Sequence, residues 1–130
     1  MKITTFNPQI ITKNPEPIVK LFEELGFEVQ HNPKNIGELN VRGIRMKDAN
    51  GFHLDIGALE EDGPMDQQLA QDRVAMRMNV DDFDEAYELL KSRGFVNVYG
   101  DNIVNTPFSK SAVMISPSGF AINLVQHIKD

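Results

Sequence analysis

The 130-residue sequence has no cysteine, few basic residues and no apolar run of the length that crosses a bilayer as a helix. Without cysteine there is no disulfide scaffold, no thiolate metal site and no thiol nucleophile, and redox compartment is left open. Lys and Arg number 13 against 19 Asp and Glu, a formal charge of −6. A basic face is needed to bind phosphate backbones or anionic lipid, so nucleic acid and membrane surfaces are excluded as expected partners. An acidic surface would attract a cationic ligand, and it also serves solubility alone. No serine forms a nucleophile elbow, and no glycine-rich loop follows a strand to cradle phosphate. The opening Met1-Lys2-Ile3-Thr4-Thr5-Phe6 lacks the extended apolar segment of a secretory signal, so a cytoplasmic location is expected.

What the sequence does contain is a spaced repetition. The length suits one domain with a proper apolar core, and 41% hydrophobic with 25% charged residues is ordinary for a globular protein. Leu25-Gly26-Phe27 matches Arg93-Gly94-Phe95 at an offset of 68, and Gly51-Phe52 matches Gly119-Phe120 at the same offset. Leu21 falls on Leu89, Met46 on Met114, and Leu54 and Ile56 on Ile122 and Leu124. No gap is needed from about residue 7 to residue 57. Several matches in one register indicate two copies of one unit.

Each copy follows the same local pattern. Asn14 stands at a helix N-cap with Pro15 in the first helical position, where its missing N–H is not needed. Ile18, Leu21, Phe22 and Leu25 then have the spacing of a one-sided helix, which Gly26 stops. In the second copy Asp81 or Asp82 caps, and Phe83, Ala86, Tyr87 and Leu90 repeat the spacing before Gly94. Strands are expected over Ile3 to Thr12, Phe27 to Val29, Glu38 to Lys47 and Phe52 to Leu59 in the first copy. In the second they are expected over Arg73 to Val80, Phe95 to Tyr99, Ser111 to Ile115 and Phe120 to Gln126. The expected organisation is a single α+β domain of two tandem β-α-β-β-β modules. Module 1 spans 1–59, an acidic connector with a Gly63-Pro64 break spans 60–72, and module 2 spans 73–130. One such module alone leaves a sheet face with nothing to cover it.

Three segments carry a resemblance. The Asn7 to Phe27 stretch with its Leu-Phe-Glu-Glu-Leu-Gly-Phe ending, the Val80-Asp81-Asp82-Phe83-Asp84-Glu85-Ala86 run and the Ser116 to Leu124 strand resemble the glyoxalase/bleomycin-resistance (vicinal oxygen chelate) superfamily. The resemblance implies paired modules forming a half-open, mixed-sheet barrel cleft. It also implies metal ligands, His or Gln on the first strand and Glu on the last strand of each module. Those positions here are Asn7, Asp55, Ala75 and Asn123, and only Asp55 is a good donor for a divalent metal. No metal or other cofactor is therefore expected. Proline near Pro8 resembles members that form dimers, which implies a homodimer.

Alternation along the strands puts Asn7, Gln9, His53, Asp55, Arg77, Asn79 and Asn123 on the concave side, and the intervening apolar residues against the helices. A polar concave set suits a ligand cleft, and it equally suits a sheet open to solvent. Asp55 and Arg77 on matched strands could pair with each other or each hold an oppositely charged ligand group. His53 could serve as a general base or be purely structural. Tyr99 and Phe108, the latter in the expected loop Asn105-Thr106-Pro107-Phe108-Ser109, are candidates for stacking on an apolar ligand or for core packing. The expected activity is non-catalytic binding of a small organic molecule, with sequestration of a cationic or aromatic compound as one form. The alternative is a metal-dependent lyase, isomerase or dioxygenase with a degenerate site around Asp55 and His53.

Overall fold

The computed structural model describes residues 1–31, 41–59 and 71–128, in nine strands and two helices. Most of the connector expected over 60–72, and the first three residues of the strand expected from Glu38, lie outside the described residues. In chain order the elements are β1 (Ile3–Thr12), α1 (Pro15–Glu24), β2 (Glu28–His31), β3 (Val41–Lys47) and β4 (His53–Leu59), then β5 (Arg73–Val80), α2 (Phe83–Ser92), β6 (Val96–Asn97), β7 (Val104–Thr106), β8 (Ser109–Ile115) and β9 (Ala121–His127). Parallel and antiparallel pairs both occur, so the fold is α+β with mixed strand pairing. No helix among the described residues is long and apolar enough to cross a membrane.

The chain divides into two compact units, Pro8–Arg73 and Met1–Asn7 with Val74–Asp130. Strand β1 therefore passes from one unit to the other at Pro8, the residue that has no N–H to give to a ladder.

In the Pro8–Arg73 unit, β1 runs parallel to β4, β4 antiparallel to β3, and β3 antiparallel to β2. Ile44, Met46, Leu54 and Ile56 form its buried core, with Ile10, Ile18, Val19, Phe22 and Phe27 packed against them. Strand residues point alternately to opposite faces, so α1 covers this face and leaves Gln9, Arg45, Asp55 and Gly57 on the other. The helical stripe that packs is Ile18, Val19 and Phe22. Leu21 and Leu25, expected on the packing face, are exposed instead. At 100° per residue Leu21 lies well round the helix from the Ile18–Val19–Phe22 arc, and Leu25 is the C-cap, past the last packed turn. Asn14 stands at the cap, but its side chain makes no capping bond; its own N–H donates to Thr12 Oγ1.

In the other unit β5 runs parallel to β9, which pairs antiparallel with β8, and β8 carries β6 and β7. Met78, Val80, Phe83, Ala86, Ala112, Met114, Ile122 and Leu124 form its core, under α2. Here the cap is made: Asp82 accepts from the Glu85 N–H. The segment expected to be a loop around Phe108 is a hairpin. Val104 and Thr106 pair with Ser111 and Ser109, leaving Pro107 and Phe108 as its two-residue turn. Thr106 Oγ1 closes that turn by accepting from the Phe108 N–H, and its hydroxyl is hydrogen-bonded to that of Ser109 at 3.0 Å.

Hydrogen bonds repeat at the sequence offset of 68. Phe27 and Phe95 donate to Phe22 and Leu90, and Gly26 and Gly94 to Glu23 and Lys91. The turns Asp48–Phe52 and Ser116–Phe120 close with the same pair of backbone bonds. Gly26 and Gly94 take positive φ, 103° and 89°. A Cβ at Gly26 would meet nothing within 4 Å, whereas one at Gly94 would sit 2.8 Å from Pro117 Cγ. Gly26→Ala is thus expected to cost only the backbone penalty of about 1 kcal/mol. Gly94→Ala adds a clash and is expected to cost about 2 kcal/mol or more. Equal melting temperatures for the two variants would contradict this account.

Candidate functional site

On the helix-free face of the Pro8–Arg73 unit, parallel and antiparallel register place Gln9, Asp55 and Arg45 in one row across β1, β4 and β3. Gln9 and Asp55 are buried. Arg45 Nε donates to Asp55 Oδ1 at 2.9 Å and Arg45 Nη2 to Asp55 Oδ2 at 3.4 Å, a forked, charge-assisted pair. The Asp55 side chain is 9% exposed and that of Arg45 33%. One row along lie Ile11, Gly57 and Gly43. The Gln9 carboxamide leans over Gly57, where a Cβ would come within 3.2 Å of Gln9 Nε2. On the other side His53 stands half-buried opposite exposed Lys47, which in turn is opposite Glu28.

The equivalent rows of the second unit hold Arg77, Asn123 and Val113, then Asn79, Val125 and Ser111. Arg77 and Asn123 are half-buried, and neither is without a partner. Asn79 is 5% exposed, and its Oδ1 is buried with no hydrogen-bond partner among the described residues. Such an orphan costs about 1–3 kcal/mol. The Tyr99 hydroxyl is likewise buried and unpartnered, and that burial pushes its pKa above the usual tyrosine value. Asn7 is half-buried on β1. Phe108 is exposed at the hairpin tip.

Register therefore brings Gln9 beside Asp55 and Arg77 beside Asn123, with His53 and Asn79 one row away from each pair. It places Phe108 on a turn and Tyr99 in the segment after β6. Arg45 is the residue that the sequence reading passed over. Its signal was present: Met46 faces the core, so Arg45 must face away, and the hairpin centred on the Asp48–Phe52 turn sets it opposite Asp55. Among the described residues no three His, Cys, Asp or Glu side chains come together.

No family model and no curated protein matches the sequence. Solved structures do. Methylmalonyl-CoA epimerase from Mycobacterium tuberculosis superposes with a TM-score of 0.68 at 16% identity, over 98% of this chain and 90% of that one. A Vibrio splendidus member of the glyoxalase/bleomycin resistance protein/dioxygenase superfamily superposes with a TM-score of 0.60 at 13% identity, over 96% and 99%. The chain has the fold of that superfamily. A Streptomyces coelicolor methylmalonyl-CoA epimerase in complex with 2-nitronate-propionyl-CoA shares the glyoxalase/bleomycin resistance fold with it, with a TM-score of 0.65 at 21% identity over 98% and 100% of the two chains. At these identities the common property is the fold.

Proposed function

We propose that the chain binds a small organic molecule on the helix-free faces of its strands, without a metal and without chemistry of its own. The observation that carries this reading is Asn79. A carboxamide held 5% exposed on a strand, with its oxygen orphaned, is a standing stability cost. A ligand that offers a hydrogen-bond donor at that point removes the cost. The fold supports the reading, since a similar structure holds an acyl-CoA ligand. Gln9, His53 and Asp55 in the Pro8–Arg73 unit, and Asn7, Arg77, Tyr99, Phe108 and Asn123 in the other, are proposed as further ligand contacts. The modules 1–59 and 73–130 are proposed as two copies of one unit, and the assembly as a cytoplasmic homodimer.

The donor chemistry does not fit a divalent metal. Of the four positions that the family resemblance marks, Ala75 has no donor and is buried, Asn7 and Asn123 are neutral amides, and Asp55 is already paired with Arg45. No catalytic step is therefore routed through a metal.

A thermal-shift screen of a metabolite library, run with and without chelator, tests the proposal. A ligand at a hundred times its Kd should stabilise the protein by about 2.7 kcal/mol, whether or not chelator is present. Asn79→Leu should raise the melting temperature of the unliganded protein, because it replaces an orphaned amide by an apolar group of similar size, and should abolish the response to the same ligand. A library that stabilises nothing, or a response that chelator removes, refutes the metal-free binding reading.

A further inference from the structure

The acidic composition suggests a cationic ligand, but the Arg45–Asp55 pair argues for the opposite charge. On the helix-free face of the Pro8–Arg73 unit, the buried carboxylate is Asp55, and Arg45 already neutralises it. The fork is used on one side only. Nε and one Nη2 proton go to Asp55, and Nη1 meets no acceptor among the described residues. The guanidinium is planar and its far edge still offers parallel N–H groups, the geometry that matches a carboxylate. Its side chain is one-third exposed. Beyond it the next row has Gly57 and Gly43, which carry no side chain of their own, with the Gln9 carboxamide leaning over Gly57. Among the described residues this face also has His53, Lys47 and, at its edge, Glu28 opposite Lys47, and His31 of β2 is the register partner of Arg45.

We infer that Arg45, held in place by Asp55, is the anchor for an anionic group, a carboxylate, on the small molecule this protein binds. The inference rests on the small-molecule reading above and adds the ligand's charge. Asp55 is then a positioning residue: two contacts from a buried carboxylate fix the guanidinium plane before ligand arrives, so little side-chain freedom is lost on binding. The positive centre in this row is a side chain and no cation need be recruited.

The test uses the full chain with four probes at matched ionic strength: benzoate, malonate, neutral benzamide and cationic benzylamine. Benzoate and malonate should bind measurably by calorimetry, and benzamide and benzylamine should bind at least tenfold more weakly, on the order of one charge-assisted hydrogen-bonded pair. Arg45→Lys keeps the ion pair with Asp55 and the fold but loses the planar fork, so carboxylate binding should weaken about tenfold. The double variant R45M/D55N removes both charges together, leaves no buried charge unpaired, and should bind benzoate no better than benzamide. Benzamide or benzylamine binding as well as benzoate would overturn the anionic inference and leave small-molecule binding standing. Carboxylates that fail to bind, or benzoate binding that survives in R45M/D55N, overturn it as well, and neither result touches the library screen on which the broader reading depends.

Discussion

Leu124→Ala is expected to destabilise the protein by about 3 kcal/mol and to lower its melting temperature by roughly 10 °C. Leu124 is 0% exposed, in the middle of β9, and lies in register with Met78 on one side and Ala112 on the other. All three belong to the core under α2. Truncation removes the transfer free energy of the lost methyl groups and leaves a cavity whose walls are strand residues fixed by backbone ladders on both sides. A strand held on both edges cannot move inwards to fill the gap, which places the site in the costly part of the range for such substitutions. Leu89→Ala provides the contrast: Leu89 is a helical leucine left 45% exposed on α2, and its loss should cost about 0.5 kcal/mol. Thermal unfolding of the two variants checks the pair. A fall of less than about 3 °C for Leu124→Ala would mean that the core can close around the hole, contrary to the register described.

These two leucines also show what could be read in the sequence and what could not. Leu124 and Ile122 stand two apart in a run bounded by turn chemistry, and period two puts them together on the face packed under α2, although Ala121 and Val125 on the opposite face are buried as well. The strands β1 and β5 were legible to the residue for the same reason, as were the glycine stops at Gly26 and Gly94, where the required positive φ selects the residue. Leu21 and Leu25 were misjudged because an amphipathic stripe gives a periodicity and not a width. Which edge of the stripe touches the sheet depends on how the helix is rolled, and here Val19 takes the place of Leu21. The hairpin β7–β8 was missed because Val104–Thr106 is too short to show alternation, and its stabilising bond is a threonine side chain closing its own turn.

The polar residues were legible by face and not by partner. Alternation puts Gln9 and Asp55 opposite the helix, and register does set them side by side. It could not supply Arg45 as the partner of Asp55, because pairing Asp55 with a cation from its matched strand and pairing it with one from its own hairpin are equally compatible with a one-dimensional pattern. Hairpin geometry supplies the second: residues equidistant from the Asp48–Phe52 turn face one another, so the sequence-local partner needs no ordering of distant chain. Asn79 illustrates the other limit. Its face is readable, but that its oxygen has no partner is a property of all its neighbours at once.

Arg45→Ala is the second variant expected to have a large effect, about 2 kcal/mol of lost stability, distinct from the binding role of the same side chain. Breaking a fully buried ion pair from one side costs about 3–5 kcal/mol, because the other charge is left desolvated. Asp55 is 9% exposed and Arg45 33%, and Asp55 has a further interaction, so part of that penalty is relieved. R45M/D55N should lie within about 1 kcal/mol of the natural protein, since replacing both charges by groups of similar shape removes the desolvation cost along with the attraction. A cycle of Arg45→Met, Asp55→Asn and R45M/D55N should give a coupling of about 1–2 kcal/mol, measured by urea unfolding in the absence of any carboxylate. A coupling near zero would show that Asp55 does not hold Arg45, and a guanidinium that is not held has no fixed edge to present to a ligand. A coupling of the expected size together with lost carboxylate affinity in the double variant would assign both properties to one pair: Asp55 spends its charge on orientation, and Arg45 keeps the unused half of its fork for the ligand.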